Sequence, residues 1–197
     1  MTLKNKIKFL PKEDIKKAAD DLLNKAYEAG IYDFNSPTPL DVIVENILNL
    51  EIRFCNLDKD NAGVLGALDL QNKIIWLDVS LDHTETGQFV DEARCNFTIA
   101  HEIGHNILHG NVILDNGLVA FHNETDPNTK NAETQANMFA AMVAMPSELM
   151  FQKWNKDFAY IENYNDAITA MVDFFRVSRE SMQYRLKDLG LLTTPNY

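Results

Sequence analysis

Three side chains in the run FTIAHEIGHNILHG, residues 97–110, combine types and spacing that can activate water: His101, Glu102 and His105. On a helix, positions four apart lie one above the other, so both imidazoles project from one face with the carboxylate of Glu102 beside them. Two neutral imidazole nitrogens next to a carboxylate suit a zinc ion and its bound water, and the chemistry implied is hydrolysis of a peptide bond. The neighbouring residues argue against an accident of composition. With His101 at zero on a helical wheel, Arg94, Thr98, His105 and His109 are read as a polar stripe, and Phe97, Ala100, Gly104, Ile107 and Leu108 as the opposing, core-facing stripe. Gly104 lies mid-helix at a cost of about 1 kcal/mol relative to alanine, which predicts another backbone packed closely there. Gly110 is read as the C-cap of this helix. The acids Glu85, Asp91 and Glu92 lie toward its N-terminal end, where the helix dipole favours them.

Two histidines do not hold a catalytic zinc alone, so a third protein ligand is needed. A third histidine in an HExxHxxGxxH run would stand at position 111, which is Asn111. The other solution is a carboxylate from a later helix. The segment NAETQANMFAAMVAMP, residues 131–146, offers Glu133, and Ala136, Ala140, Ala141 and Ala144 would let its helix come close. The competing role for Glu133 is an exposed acid at a helix start. Asn137, one turn after Glu133, is suited to accept a hydrogen bond from the distal nitrogen of a ligand histidine. His109 reads as a residue behind the ligands or at the helix end, because a fourth protein ligand would close the site to water.

Taken together, FTIAHEIGHNILH, ETQANMFAAMVAMP, the upstream PLDVIVENILNLEIRF and the downstream FFRVSRESMQYRLKDLGLL resemble the ImmA/IrrE-like zinc metallopeptidases of bacteria, phages and integrative elements. The resemblance spans residues 15–192. It implies a zincin-like fold, one Zn2+ per chain held by His101, His105 and Glu133, and Glu102 as the general base. It also implies a protein substrate, a helix-turn-helix repressor whose cleavage relieves transcriptional repression. Gln135 departs from the pattern, since members often carry a second acid there, and the site would have one fewer negative charge near the metal. His122, Tyr160 and Tyr184 have the chemistry of a second electrophile for the oxyanion, and nothing in the sequence places any of them.

A chain of 197 residues with 46% hydrophobic content can bury one core and a small appended unit. The expected class is α+β: a zincin-like metallopeptidase domain over residues 1–150, with a small mixed or antiparallel sheet among helices. A helix-turn-helix-like extension over 151–197 is expected to pack on it. Cys55 and Cys95 lack C-x-x-C spacing, which argues against a disulfide framework and for buried thiols in a reducing compartment. The first residues, MTLKNKIKFLPKED, contain no apolar signal core, and no later run approaches a membrane span, so a cytoplasmic protein is expected.

Helices are predicted over residues 12–29, ended by Gly30, and over 40–50. Strands are predicted at 51–55, in GVLGALDL and in KIIWLDV, with Gln71 and Asn72 as the turn. An edge strand at 65–70 or 74–77 would pair with extended substrate beside the zinc helix. The polar stretch 111–130 reads as a loop near the metal. In the C-terminal third, AMVDFFRVS and RESMQYRLKDLG read as two helices with a turn and cap at Val177 and Ser178. A DNA-reading helix there would expose Arg179, Gln183, Arg185 and Lys187. The net charge of −11 opposes phosphate binding, and Met182, Leu186 and Leu189 have the spacing of a packed face. A DNA-binding or repressor-binding regulator without proteolysis is the alternative to the peptidase.

Overall fold

The computed structural model describes residues 7–57, 63–82, 89–116, 127–156 and 163–192, with the side chains of 89–91, 112–116 and 127–129 outside that description. The expectations for Glu85, for the Asp91 side chain, and for His122 and Tyr160 as electrophiles therefore lie outside the described residues. Helix α1 (Lys12–Glu28) buries Ile15, Ala19, Leu22, Leu23 and Ala26, a stripe of period near 3.6 that faces the core. It stops where Gly30 takes φ +70°, which closes the helix with bonds from Gly30 N to Tyr27 O and from Ile31 N to Ala26 O. Helix α2 (Leu40–Asn46) is shorter than the predicted 40–50: Asn49 adopts φ +53° and turns the chain into the sheet.

The sheet has three strands in the order β1-β3-β2, where β1 is Glu51–Cys55, β2 is Gly66–Asp69 and β3 is Ile74–Asp78. Strand β1 runs parallel to β3, and β2 runs antiparallel to it, so the sheet is mixed. The hairpin turn between β2 and β3 is held by the Asp69 carboxylate, which accepts from Asn72 N at 3.0 Å, with Lys73 at φ +58°. Because β3 is central, residues 74–77 offer no free edge, and β2 is the edge strand that lies against the HExxH helix.

That helix, α3 (Phe89–Asn116), is longer than expected. Gly110 is not its C-cap: the backbone bonding continues through it, and the missing side chain faces Leu70 of the hairpin turn at ordinary contact distance. The predicted loop at 111–130 is thus helical at both ends, in α3 and in α4 (Pro127–Ala144). Gly104 meets the expectation of close approach. A Cβ there would lie 3.1 Å from both the Cα and the carbonyl oxygen of Ala136, so only glycine lets α3 and α4 touch at this height.

Helices α5 (Ser147–Lys156), α6 (Tyr164–Phe175) and α7 (Arg179–Asp188) complete the chain, giving seven α-helices among the described residues. Together with the small sheet this is an α+β fold of the expected zincin-like kind. Two apolar clusters form. One gathers α1, α2, the sheet, α3 and most of α4 around Phe139, Leu68 and Ile103; the other gathers the end of α4 with α5, α6 and α7 around Met145, Leu149 and Met182. The α6–α7 turn has the predicted form, with Arg176 at φ +54° and the Ser178 hydroxyl accepting from Ser181 N at 3.1 Å. The set that a DNA-reading helix would expose does not assemble, in line with the expected packed face. Arg185 is only 4% exposed and donates to Met145 O, and Arg179 is tied to Asn165 and Thr169 of α6. No helix among the described residues is long and apolar enough to cross a membrane.

Candidate metal centre

The approach of α3 to α4 brings His101, His105 and Glu133 together, with one ligand atom of each within 4.8 Å of the others. The two Nε2 atoms stand 2.9 Å apart, and the Glu133 carboxylate lies 3.2 Å from His101 Nε2 and 3.3 Å from His105 Nε2. Glu133 Oε1 is sealed from solvent and has no hydrogen bond of good geometry. An orphaned buried carboxylate oxygen facing two imidazole nitrogens is costly unless a cation sits among them. The donor set, two imidazoles and one carboxylate, fits Zn2+ with a position left for water.

Proton bookkeeping around the imidazoles points to the same fit. Gln135, 2% exposed, donates from Nε2 to the carbonyl oxygen of Lys8 at 3.1 Å. A carbonyl can only accept, so the amide orientation is fixed and Gln135 Oε1 faces His109 Nε2, 3.4 Å away. Neutral His109 then carries its proton on Nε2 and presents a lone pair at Nδ1, toward His105 Nδ1 at 3.1 Å. His105 must donate from Nδ1, which leaves its Nε2 bare. On the other ligand, His101 Nδ1 donates to Asn137 Oδ1 at 2.9 Å, and its Nε2 is bare as well. Both lone pairs thus aim at the Glu133 carboxylate in the tautomer a metal requires.

The electrostatics follow from burial and proximity. Burial pushes His105 down to about 4, more than the neighbouring Glu133 carboxylate restores, so it is neutral at pH 7. Burial also holds His109 below its usual range, against the Gln135 hydrogen bond. For His101, burial opposes the charged form, but Glu133 and Glu102 outweigh it and the net direction is upward. Glu133 falls to about 2: burial would raise it, and the two imidazoles of His101 and His105 beside it outweigh the burial. Glu102 moves the other way, raised to about 7 by burial, with the charge of Glu133 adding to the rise and His101 opposing it.

Glu102 owes its position to a residue the sequence reading passed over. Its carboxylate lies over Gly66 of β2, where a Cβ would stand 2.6 Å from Glu102 Oε1 and 2.7 Å from Thr98 Cγ2. Any side chain at 66 would displace the acid. Gln135 was likewise read only as a missing charge, although it anchors the hydrogen-bond chain behind His105. Neither role is visible from spacing, because each depends on contact with a distant segment, β2 in one case and Lys8 in the other. Tyr184 makes no hydrogen bond to the metal cluster among the described residues; it is 75% exposed on α7. Phe97, expected on the core-facing stripe, stands one turn before His101 and so on the histidine side; it packs partly on the core and lines a cleft beside Asn137.

A family model for the IrrE N-terminal-like domain, a peptidase family, matches residues 46–187. No curated protein sequence matches this chain. Among solved structures, a Mycobacterium tuberculosis transcriptional regulator is similar, with a TM-score of 0.55 at 14% identity, covering 95% of this chain and 53% of that one. The chain spans about half the length of that regulator, and at this identity the likeness concerns the fold. The family match takes in α3, α4 and the C-terminal helices through Lys187, and the chain belongs to the IrrE N-terminal-like peptidase family.

Proposed function

We propose that this protein is a zinc-dependent endopeptidase acting on a specific protein in the cytoplasm, with His101, His105 and Glu133 as metal ligands and Glu102 as the general base. The observation that carries the reading is the convergence of two tautomer-fixed imidazoles on a buried, otherwise unsatisfied carboxylate, with an acid raised to about 7 next to them. Bound zinc would supply a polarised water, its pKa lowered toward about 7, and stabilise charge on the carbonyl oxygen. Glu102 can take a proton from the attacking water at its carboxylate and return it to the leaving amine. Its close contact with Gly66 restrains the carboxylate against β2. Asn137 and the His109–Gln135 pair act through the ligand histidines, fixing which nitrogen carries the proton.

The family resemblance extends the reading to the substrate: a helix-turn-helix repressor whose cleavage relieves repression. A DNA-binding role is disfavoured by the burial of Arg185 and by the net charge of −11. The test is Glu102→Gln compared with wild type, both zinc-loaded and incubated with the product of a neighbouring repressor gene. Mass spectrometry should find repressor fragments with wild type only, at equal zinc content. Cleavage by Glu102→Gln at an undiminished rate would remove Glu102 from its assigned role.

A further inference from the structure

We propose that the cleft between α4 and α7 is a substrate subsite that takes a long apolar side chain flanked by a basic one. The inference deepens the peptidase reading and rests on it. The cleft encloses about 520 Å³, within the size range of binding sites. It adjoins the metal centre through Asn137, which lines the cleft while bonding His101 Nδ1. Its floor is apolar, formed by Phe97, Met138, Ala141 and Met142. Methionines adapt to aliphatic and aromatic shapes alike, so this floor selects for apolar size more than outline.

The far wall is α7, and its charges decide the flanking residue. Asp188 pairs with both Lys12 of α1 and Arg185, and Arg185 is further fixed by Met145 O at 3.1 Å. Those contacts tie the wall to α1 and to the end of α4, so the cleft is built before anything enters it. They also engage both cations of the lining, leaving an acidic segment nothing unpaired to meet. Glu180, exposed on the rim, has no ion pair among the described residues. A lysine or arginine next to the apolar side chain would meet it. A second copy of this chain, itself at −11, is a poor occupant on the same ground.

The test uses zinc-loaded Glu102→Gln protein, chosen to bind without cleaving, to select from a randomised short-peptide display library. Glu180→Lys and Ala141→Leu are made in the same background. Selected peptides should share Leu, Met or Phe beside Lys or Arg. Glu180→Lys should weaken their binding about fivefold and Ala141→Leu roughly tenfold. Selected peptides without that pairing, or bound equally by both variants, would overturn the proposal. If Ala141→Leu fails to fold, the exposed Glu180→Lys decides alone. Peptides that carry the pattern and bind through the cleft, yet are left intact by zinc-loaded wild type, would support the subsite and count against the peptidase reading. A dimer that Glu180→Lys or Ala141→Leu dissolves would give the cleft to a second copy and overturn the proposal.

Discussion

His101 and His105 offer the same atom to the same point, yet they are held in opposite ways. His105 is sealed, its side chain 3% exposed, and its tautomer is set by a chain running through His109 and Gln135 to the backbone of Lys8. His101 is 13% exposed and relies on one partner, Asn137, which itself faces solvent and the cleft. The difference teaches a division of labour across one metal centre. The interior side is fixed by groups that no water can replace, and the outer side is left open where the proposed substrate would arrive.

The largest consequence concerns Glu102, which is only 4% exposed. Its folded pKa, about 7, lies above the ordinary carboxylate value of 4.5, so folding favours the protonated form. That stabilisation is fully present below 4.5 and is lost as pH rises through 7. In metal-free protein, the stability gap between wild type and Glu102→Gln should therefore shift by up to about 3 kcal/mol in favour of Gln between pH 4.5 and 8. Urea denaturation at several pH values measures it, and a gap independent of pH would show that the acid is better solvated than its burial implies. The falls in His105 and Glu133 owe nothing to Glu102 and act in both proteins, whereas His101 loses in the variant the part of its rise that Glu102 supplies.

The asymmetry between the two imidazoles can be broken directly. His109→Phe should cost about 100-fold in zinc affinity and Asn137→Ala about tenfold, since water can stand in for the exposed amide but not for a buried ring. Competition with a chelating dye reads both, and equal losses would end the distinction between sealed and open sides. A smaller effect is expected at the strand edge. Gly66→Ala should keep the zinc and the KM while lowering kcat roughly tenfold by moving the Glu102 carboxylate. Loss of zinc from that variant would mean that Gly66 supports the fold of the whole centre instead.

Much of this centre was legible in the sequence because its parts are local. The HExxH spacing fixes His101, Glu102 and His105 on one helix, and the alanines around Glu133 announced a close helix contact that Gly104 confirms. The length of α3 was misjudged because Gly110 was read as a stop; a penalty of about 1 kcal/mol does not end a helix whose neighbours continue to pack. Strand order was out of reach, since β1 joins β3 across a parallel pairing that alternation alone does not specify. The same holds for Arg185, whose basic character pointed outward until Met145 O and Asp188 drew it in. Long-range partners, and not residue types, decided each of these cases.

Anomalous diffraction at the zinc edge, from crystals of the zinc-loaded protein, tests the central claim most directly. The account predicts one peak per chain, about 2.0–2.2 Å from His101 Nε2, His105 Nε2 and a Glu133 carboxylate oxygen, and no peak at that place in Glu133→Ala. A peak elsewhere, or one that bypasses Glu133, would contradict it.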